Sequence, residues 1–369
     1  MFSEEHLYSI ALRKCAFVGD SNFKKLVENA GSAEEVWKTP KLKLQKINGI
    51  GQKISAEIGE KSILDFAEKE LKFCEKNGIN IRLRHKNELP NLLSECDDPP
   101  SVLYEKGIFP EKLNAISIVG TRNCTAYGKH FIEDLLEELK NHGIVTISGL
   151  ALGADAEVHE KSLQKNIATV GVLAHGFHTF YPSKNKLLSE RILENDGALF
   201  TEFNTSQKPD RENFIQRNRI IAGLSSATIL VESAFGGGSI STVTFANGYN
   251  RDVYALPGKI TDKYSQGCNQ MIAHHKAFTI STIKDLVENL GFNKPKESTG
   301  ELFPTSEIKL QLTEKQELIY NFIKQNPYIT LDELSDLSEF ATYKILPLIL
   351  ELELSGHIKT FSGRQFLVI

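Results

Sequence analysis

Three glycine-rich segments, each directly after a short apolar run, hold the residues best suited to chemistry. They span residues 120–122 (Gly-Thr-Arg), 148–153 (Ser-Gly-Leu-Ala-Leu-Gly) and 236–239 (Gly-Gly-Gly-Ser). Glycines let a backbone approach an anion, and each segment opens a predicted helix whose first N–H groups are unpaired. Their spacing fits neither G-x-G-x-x-G nor G-x-x-x-x-G-K-[ST]. Three such loops predict a long phosphate-binding groove rather than a single nucleotide pocket.

A fourth segment, residues 208–219, places basic side chains around one aromatic ring. Its members are Lys208, Arg211, Phe214, Arg217 and Arg219. Single-stranded nucleic acid is bound by this combination, since cations follow the backbone and an aromatic ring stacks on a base. Each arginine alone fits a structural role equally well, tying loops together near a helix start. As a group they predict binding of a single strand.

The elements that must position these loops follow from an alternation of β-branched runs and helical stretches between residues 115 and 290. The runs read AISIVG, IVTISG, ATVGVL, ALFTE, ATILVE and DVYALPG. Apolar strands separated by helices indicate a mostly parallel sheet with helices on both faces. The predicted fold class is therefore α/β and Rossmann-like, with the loops gathered at the carboxyl edge of the sheet.

The ordered motifs of this region resemble those of the DprA/Smf family of DNA-processing proteins. They include V-G-T-R at 119–122, G-A-D at 153–155, Y-P at 181–182, R-N-R-I-I-A-G-L-S at 217–225 and A-L-P-G at 255–258. The chain departs from the family pattern at Ala154, where isoleucine is usual, at Val158, and at Ala174-His175, where a Gly-x-Gly turn is usual. The resemblance covers the whole α/β region and, more loosely, both flanks.

This resemblance implies a homodimer that binds single-stranded DNA, protects incoming DNA and loads the RecA recombinase in natural transformation. Single-strand-binding protein is a further candidate partner, and no cofactor, metal or catalysed reaction is implied. The residues expected to contact DNA are Gly120, Thr121, Arg122, Ser148, Gly149, Gly153, Lys208, Arg211, Phe214, Arg217, Asn218, Arg219, Gly238 and Ser239.

The alternative is an enzyme of the same fold class, a nucleoside-monophosphate phosphoribohydrolase resembling the LOG type. Such enzymes carry P-G-G-x-G-T-x-x-E, in which the glutamate acts on the ribosyl bond. Aligned at Gly238, that pattern places Phe245 at the glutamate position, and a phenyl ring transfers no proton. Asp155, His159 and His178 remain as acid–base candidates, although helix capping accounts for Asp155 and packing for His159 as well. We therefore expect a protein that is not an enzyme.

The flanks are predicted as separate modules. Residues 1–80 form a helical module of helix-hairpin-helix or SAM-like type, centred on the turn at Gly49-Ile50-Gly51. Residues 81–114 are a connector, 291–312 a linker and 313–369 a winged helix. A DNA-reading third helix should be basic on its outer face, but TYKILPLILELELSG carries one lysine and two glutamates. We expect the flanks to contact proteins, with DNA contact by the winged helix as the alternative.

Composition narrows the function further. The net charge of −4 means that nucleic acid must bind at a local basic patch. The 5 cysteines include no CxxC pair, which indicates a reducing compartment and no zinc or redox motif. No apolar run approaches the roughly 20 residues of a membrane span. We expect a cytoplasmic protein without membrane contact.

Overall fold

The computed structural model describes residues 2–292 and 313–368, apart from residues 327, 339, 356 and 362–364. The chain divides into two compact units, Met1–Pro295 and Lys296–Ile369. The predicted linker 291–312 lies outside the described residues except for its first two positions.

Helices make up the first part of the first unit. Their apolar faces, including Leu26, Val36 and Leu44, bury one another in a small core. The helices are α1 (Glu4–Lys14), α2 (Asp20–Ala30), α3 (Ala33–Lys38), α4 (Lys41–Leu44), α5 (Gln52–Ser55) and α6 (Lys61–Lys76).

A nine-stranded sheet forms the centre of the first unit, in the order β1-β2-β6-β5-β4-β3-β7-β8-β9. From β6 to β9 all neighbours are parallel, and every predicted apolar run is a strand of this part. The strands are β1 (Ile79–Leu83), β2 (Val102–Gly107), β3 (Asn114–Val119), β4 (Ile144–Ser148), β5 (Ala168–Val172), β6 (Ala198–Thr201), β7 (Ala227–Leu230), β8 (Asp252–Ala255) and β9 (Phe278–Thr279).

Strands β1 and β2 lie largely in the segment predicted as a connector, and they belong to the nine-stranded sheet. They extend the sheet by antiparallel pairing, β1 on β2 and β2 on β6. Strand β1 alternates buried and more exposed residues, as expected of an edge strand. Arg82 Nε donates across the pair to Glu105 Oε2 at 2.7 Å.

Helices cover both faces of the sheet, which confirms the predicted α/β class. Ile116 and Ile118 on β3 face the cluster that includes α8. Val119 and Val145 face the opposite cluster, with α11 and α12. The helices of this region are α7 (Asn91–Ser94), α8 (Ala126–Leu139), α9 (Ala154–Gln164), α10 (Lys186–Glu194), α11 (Arg211–Gly223), α12 (Ser239–Gly248), α13 (Gln266–Ala273) and α14 (Ile283–Leu290).

The second unit contains three helices and a three-stranded antiparallel sheet of order β10-β12-β11. Its core includes Ile319, Leu334, Ile345 and Leu352. Its elements are α15 (Glu314–Gln325), β10 (Ile329–Thr330), α16 (Leu331–Ser338), α17 (Thr342–Leu354), β11 (Ile358–Phe361) and β12 (Gln365–Val368). Within the described parts of both units, no helix combines the length and apolar character needed to span a bilayer.

Candidate nucleic-acid interface

An open groove of about 1390 Å³ lies at the carboxyl edge of the sheet. The loops after β3 and β7 form its floor, and these strands are neighbours at the point where the strand order reverses. Open α/β sheets bind their ligands at such a point. The predicted contact residues that line the groove are Gly120, Thr121, Arg122, Lys208, Arg211, Phe214, Arg217, Asn218, Gly238 and Ser239.

Basic side chains outnumber acidic ones in this groove. Asp210 caps α11 by accepting the Asn213 amide at 2.9 Å, and Asp155 lies close to Arg217. The groove is therefore a positive patch on a chain whose net charge is −4. Its charged residues are the five cations Arg122, Lys208, Arg211, Arg217 and Lys263 and the two carboxylates Asp155 and Asp210.

Arg122 is exposed at the groove and makes no hydrogen bond or ion pair within the described part of the chain. Its guanidinium carbon lies 5.1 Å from the centroid of the Phe214 ring. The loop that carries it is fastened to the end of β7, because Glu232 accepts the Thr125 amide at 2.8 Å and the Thr125 hydroxyl at 2.6 Å. A positioned guanidinium with free donors matches the geometry of a phosphate.

Arg217 lies beneath the groove rather than projecting into it. It is 3% exposed, and its Nη1 donates to Gly149 O at 2.7 Å and to Val172 O. Burial raises the pKa of the neighbouring Asp155 carboxyl, and the Arg217 charge opposes that shift. Burial lowers the pKa of Arg217 to about 10, so the side chain stays protonated at neutral pH. Arg217 therefore ties the ends of β4 and β5 together below the binding surface.

Phe214 is half-buried at the groove between the two arginines. The Arg217 guanidinium carbon lies 5.6 Å from its centroid, close to the 5.1 Å of Arg122. The ring of Tyr181 meets it edge-on, with 5.9 Å between centroids. This arrangement holds an aromatic ring inside a positive groove, as stacking on a base requires.

The loop after β7 forms the middle of the groove. Helix α12 begins at Ser239, and its first turn lines the groove. The Ile240 amide bonds to Gly237 O at 3.0 Å, whereas the Ser239 and Ser241 amides have no hydrogen-bond partner among the described residues. Asn218 fixes this loop, since its Nδ2 donates to Ser241 Oγ at 2.9 Å. Of the residues predicted here as DNA contacts, the loop residues can offer amides to an anion, whereas Asn218 holds the loop in position.

Three predicted contact residues of the loop after β4 do not line the groove, which corrects the prediction of an anion-binding nest there. Ser148 is buried and donates its hydroxyl to Ile118 O at 2.7 Å. Gly149 lies so close to Arg217 that a Cβ would come within 2.7 Å of Nη2. Gly153 has φ of 80°, and its Cβ would lie 2.4 Å from the Arg122 carbonyl oxygen. The contacts of these three residues are therefore internal to the fold, where they allow close packing.

Arg219 is also corrected, because it faces away from the groove. It is 5% exposed, with Nη2 at 2.5 Å from Glu202 Oε2 and 3.1 Å from Asp20 Oδ2, and it also donates to Asp98 O. Two helical residues differ by roughly 200° around the axis, so Arg217 and Arg219 point to opposite sides of α11. Arg219 fastens α11 to the helical part of the first unit.

The sequence analysis missed Lys263 and Tyr264, which line the groove from the loop between β8 and α13. Lys263 is exposed, and its Nζ lies 5.6 Å from the centroid of the Tyr264 ring. The sequence feature that could have identified them is a basic residue beside an aromatic one after a predicted strand. The same combination of residue types identified residues 208–219.

The residues considered for catalysis are placed as follows. His159 is fully buried, its Nδ1 lies 2.7 Å from Thr169 Oγ1, and burial lowers its pKa to about 3. Phe245 is half-buried on α12 and stacks on Tyr249. Asp155 is buried, accepts the Ala151 amide at 3.3 Å and so orients the loop after β4.

Residues 80–291 match the sequence profile of a family described as DNA recombination-mediator protein A. The chain belongs to this family, DprA/Smf. Protein Smf of Synechocystis is 33% identical over 297 residues, which are 79% of this chain and 74% of that protein. The match confirms the resemblance and does not favour the phosphoribohydrolase alternative. It begins near β1, so the DprA/Smf region includes the two strands that the connector prediction left out.

Two solved DprA structures share the fold. DNA processing protein A of Streptococcus pneumoniae is 25% identical and has a TM-score of 0.63, covering 78% of this chain and 98% of its own. The Helicobacter pylori protein, solved to describe its mode of binding single-stranded DNA, is 27% identical and has a TM-score of 0.51. It covers 57% of this chain and 95% of its own.

Proposed function

We propose that this DprA/Smf protein binds single-stranded DNA in the groove and mediates recombination without catalysing a reaction. The observation that carries the proposal is a set of exposed cations that line one groove together with Phe214. None of them has a carboxylate partner among the described residues. They are Arg122, Lys208, Arg211 and Lys263.

The proposed mechanism is electrostatic and non-covalent. The cations replace the counter-ions of the DNA backbone, and the Ser239 and Ser241 amides at the start of α12 donate hydrogen bonds to a further phosphate. Phe214 stacks on a base, which is available in a single strand but hidden in a duplex. Because every base offers a flat face, we expect little preference for sequence.

Family membership supports the rest of the proposal. The protein would act in the cytoplasm as a homodimer, protect incoming single strands and deliver them to the RecA recombinase during natural transformation. Single-strand-binding protein would be a further partner. The groove fits the task of protecting a single strand, since binding there would cover the strand without altering it.

We infer that both flanks contact proteins. The order helix, strand, two helices and two strands in the second unit is that of a winged helix. Its third helix, α17, exposes Tyr343, Leu346 and Leu350, with Lys344 as its single basic residue. In the helical module, the turn at residues 49–51 buries Ile50 in the core, as a helix-hairpin-helix turn would. The third helix of the second unit lacks the basic face expected of a DNA reader. Around the turn of the helical module the surface is mixed in charge, with Lys46 and Lys53 exposed and the carboxylates Glu57 and Glu60 close behind them.

The test is a comparison of three ligands at one salt concentration: a single-stranded oligonucleotide, the duplex of the same sequence and AMP. We expect the single strand to bind tightest and AMP weakest. Lys208→Gln should weaken binding of the single strand, whereas Lys259→Gln, an exposed lysine that does not line the groove, should not. Tightest binding of AMP, or equal binding of duplex and single strand, would contradict the proposal.

A further inference from the structure

The far wall of the groove repeats the cation-and-aromatic arrangement found at Phe214. On one wall the Arg122 guanidinium carbon lies 5.1 Å from the Phe214 centroid. On the other, Lys263 Nζ lies 5.6 Å from the Tyr264 centroid. Both aromatic rings are half-buried and both line the groove. The two walls therefore offer the same pair of groups, a ring for a base and a cation for its phosphate.

Tyr264 is held in place by its backbone, not by its side chain. Its carbonyl accepts the Ser233 amide at 2.6 Å. The loop is closed behind it by Asn269, whose Oδ1 accepts the Gly258 amide at 3.2 Å and whose Nδ2 donates to Gly258 O at 2.9 Å. A ring on a fastened loop loses little freedom when it stacks on a base, which favours binding.

Hydrogen bonds fasten the start of α12 to residues on both walls. Asn218, on the same helix as Phe214, donates to Ser241 Oγ at 2.9 Å. Ser239 Oγ donates to Ser233 Oγ at 3.1 Å, and the Ser233 amide bonds to Tyr264. The start of α12 is therefore linked to the helix of Phe214 on one side and to the loop of Tyr264 on the other, and the DNA backbone would cross there.

We propose that Tyr264 and Lys263 form a second nucleotide-binding subsite, in which Tyr264 stacks on a base and Lys263 contacts its phosphate. This inference rests on the proposed function and specifies the ligand: a stretch of several nucleotides, with one base at Phe214, another at Tyr264 and phosphate held between them. A strand too short to reach both walls uses one wall only.

The test measures affinity for oligothymidylates from two to about ten nucleotides in the full-length chain. Tyr264→Leu should bind the short strands nearly as well as the parent and lose about 10-fold in affinity above a threshold length, since one stacking contact is lost. Tyr264→Phe should restore the affinity because it keeps the ring. The matched control is Tyr343→Leu in the second unit, where Lys344 Nζ lies 5.8 Å from an exposed tyrosine ring outside the groove.

The outcomes separate this inference from the proposed function. If the parent binds no single strand, or if Phe214→Leu binds every length as tightly as the parent, the proposed function fails and the subsite fails with it. If Phe214→Leu weakens binding but Tyr264→Leu matches the parent at all lengths, the second subsite alone is refuted. The second subsite is also refuted if Tyr264→Leu loses the same affinity at every length, or if Tyr264→Phe loses affinity as well. Either result would indicate a change in loop structure.

Discussion

Both Arg122 and Arg217 were first predicted to contact DNA, but their alanine substitutions should affect different properties. Arg122→Ala should weaken DNA binding, and Arg217→Ala should destabilise the fold. Arg122 is exposed and unpaired among the described residues. Its loss should change the free energy of unfolding by no more than about 0.5 kcal/mol. It should weaken binding of a single strand by about 1.5–3 kcal/mol, roughly 10- to 100-fold, as expected for a charge-assisted hydrogen bond to phosphate.

Arg217→Ala should instead destabilise the fold. The substitution leaves the carbonyls of Gly149 and Val172 without their donor and the buried Asp155 without its counter-charge. Removing one partner of a buried pair costs about 3–5 kcal/mol. Urea unfolding followed by circular dichroism measures this loss, and titration with an oligonucleotide at low temperature measures affinity in the folded fraction.

A double-mutant cycle tests the physical reason. Asp155→Asn removes the buried charge, so Arg217→Ala should cost less in that background than in the parent. If Arg217→Ala unfolds at the same urea concentration as the parent, or if the two changes are strictly additive, the role assigned to Arg217 is wrong.

Three further predictions concern salt, pH and the chain's division. With four exposed cations on phosphates, log K against log salt should have a slope of about −3, from −0.7 for each phosphate; a flat response would contradict backbone binding. Burial lowers the pKa of His159 to about 3, so between about pH 6.5 and pH 3 only the unfolded chain protonates this side chain. The free energy of unfolding should therefore fall by about 1.4 kcal/mol per pH unit as the solution is acidified through this range. Urea unfolding of His159→Gln should show a shallower fall, and the same slope as in the parent would refute this prediction. The fragment Met1–Pro295, a compact unit, should bind single-stranded DNA with an affinity within about tenfold of that of the whole chain. A larger loss of affinity at the same oligomeric state would mean that the second unit contacts DNA.

Much of the sheet could be predicted because its central strands are buried on both faces. Every residue of β4 is buried, and such a strand reads as a continuous apolar run. Strands β1 and β2 were missed for the opposite reason. They lie at the sheet edge, include Arg82 and Glu105, and flank turn signals such as Pro99-Pro100. Turn chemistry between two strands is hard to distinguish from a connector.

The site was predicted less completely than the sheet. Clustering along the chain identified α11 but did not give the direction of each side chain, so Arg217 and Arg219 were assigned to DNA although both are buried. Glycines at 149 and 153 fit an anion nest and close loop packing equally well, and only three-dimensional contacts distinguish the two. Tyr264 could not be placed because its position depends on the distant residues Ser233 and Asn269.

Photocrosslinking of a single-stranded oligonucleotide carrying 5-iodouracil, with the linked peptides identified by mass spectrometry, tests the central claim most directly. If the groove binds DNA, crosslinks should fall in the main segments that line it, residues 119–123, 179–181, 208–218, 233–244 and 263–264. They should disappear when unlabelled single strand competes. Crosslinks confined to residues 47–55 or to α17 would show that a flank holds the strand, and the groove would not be the DNA-binding site.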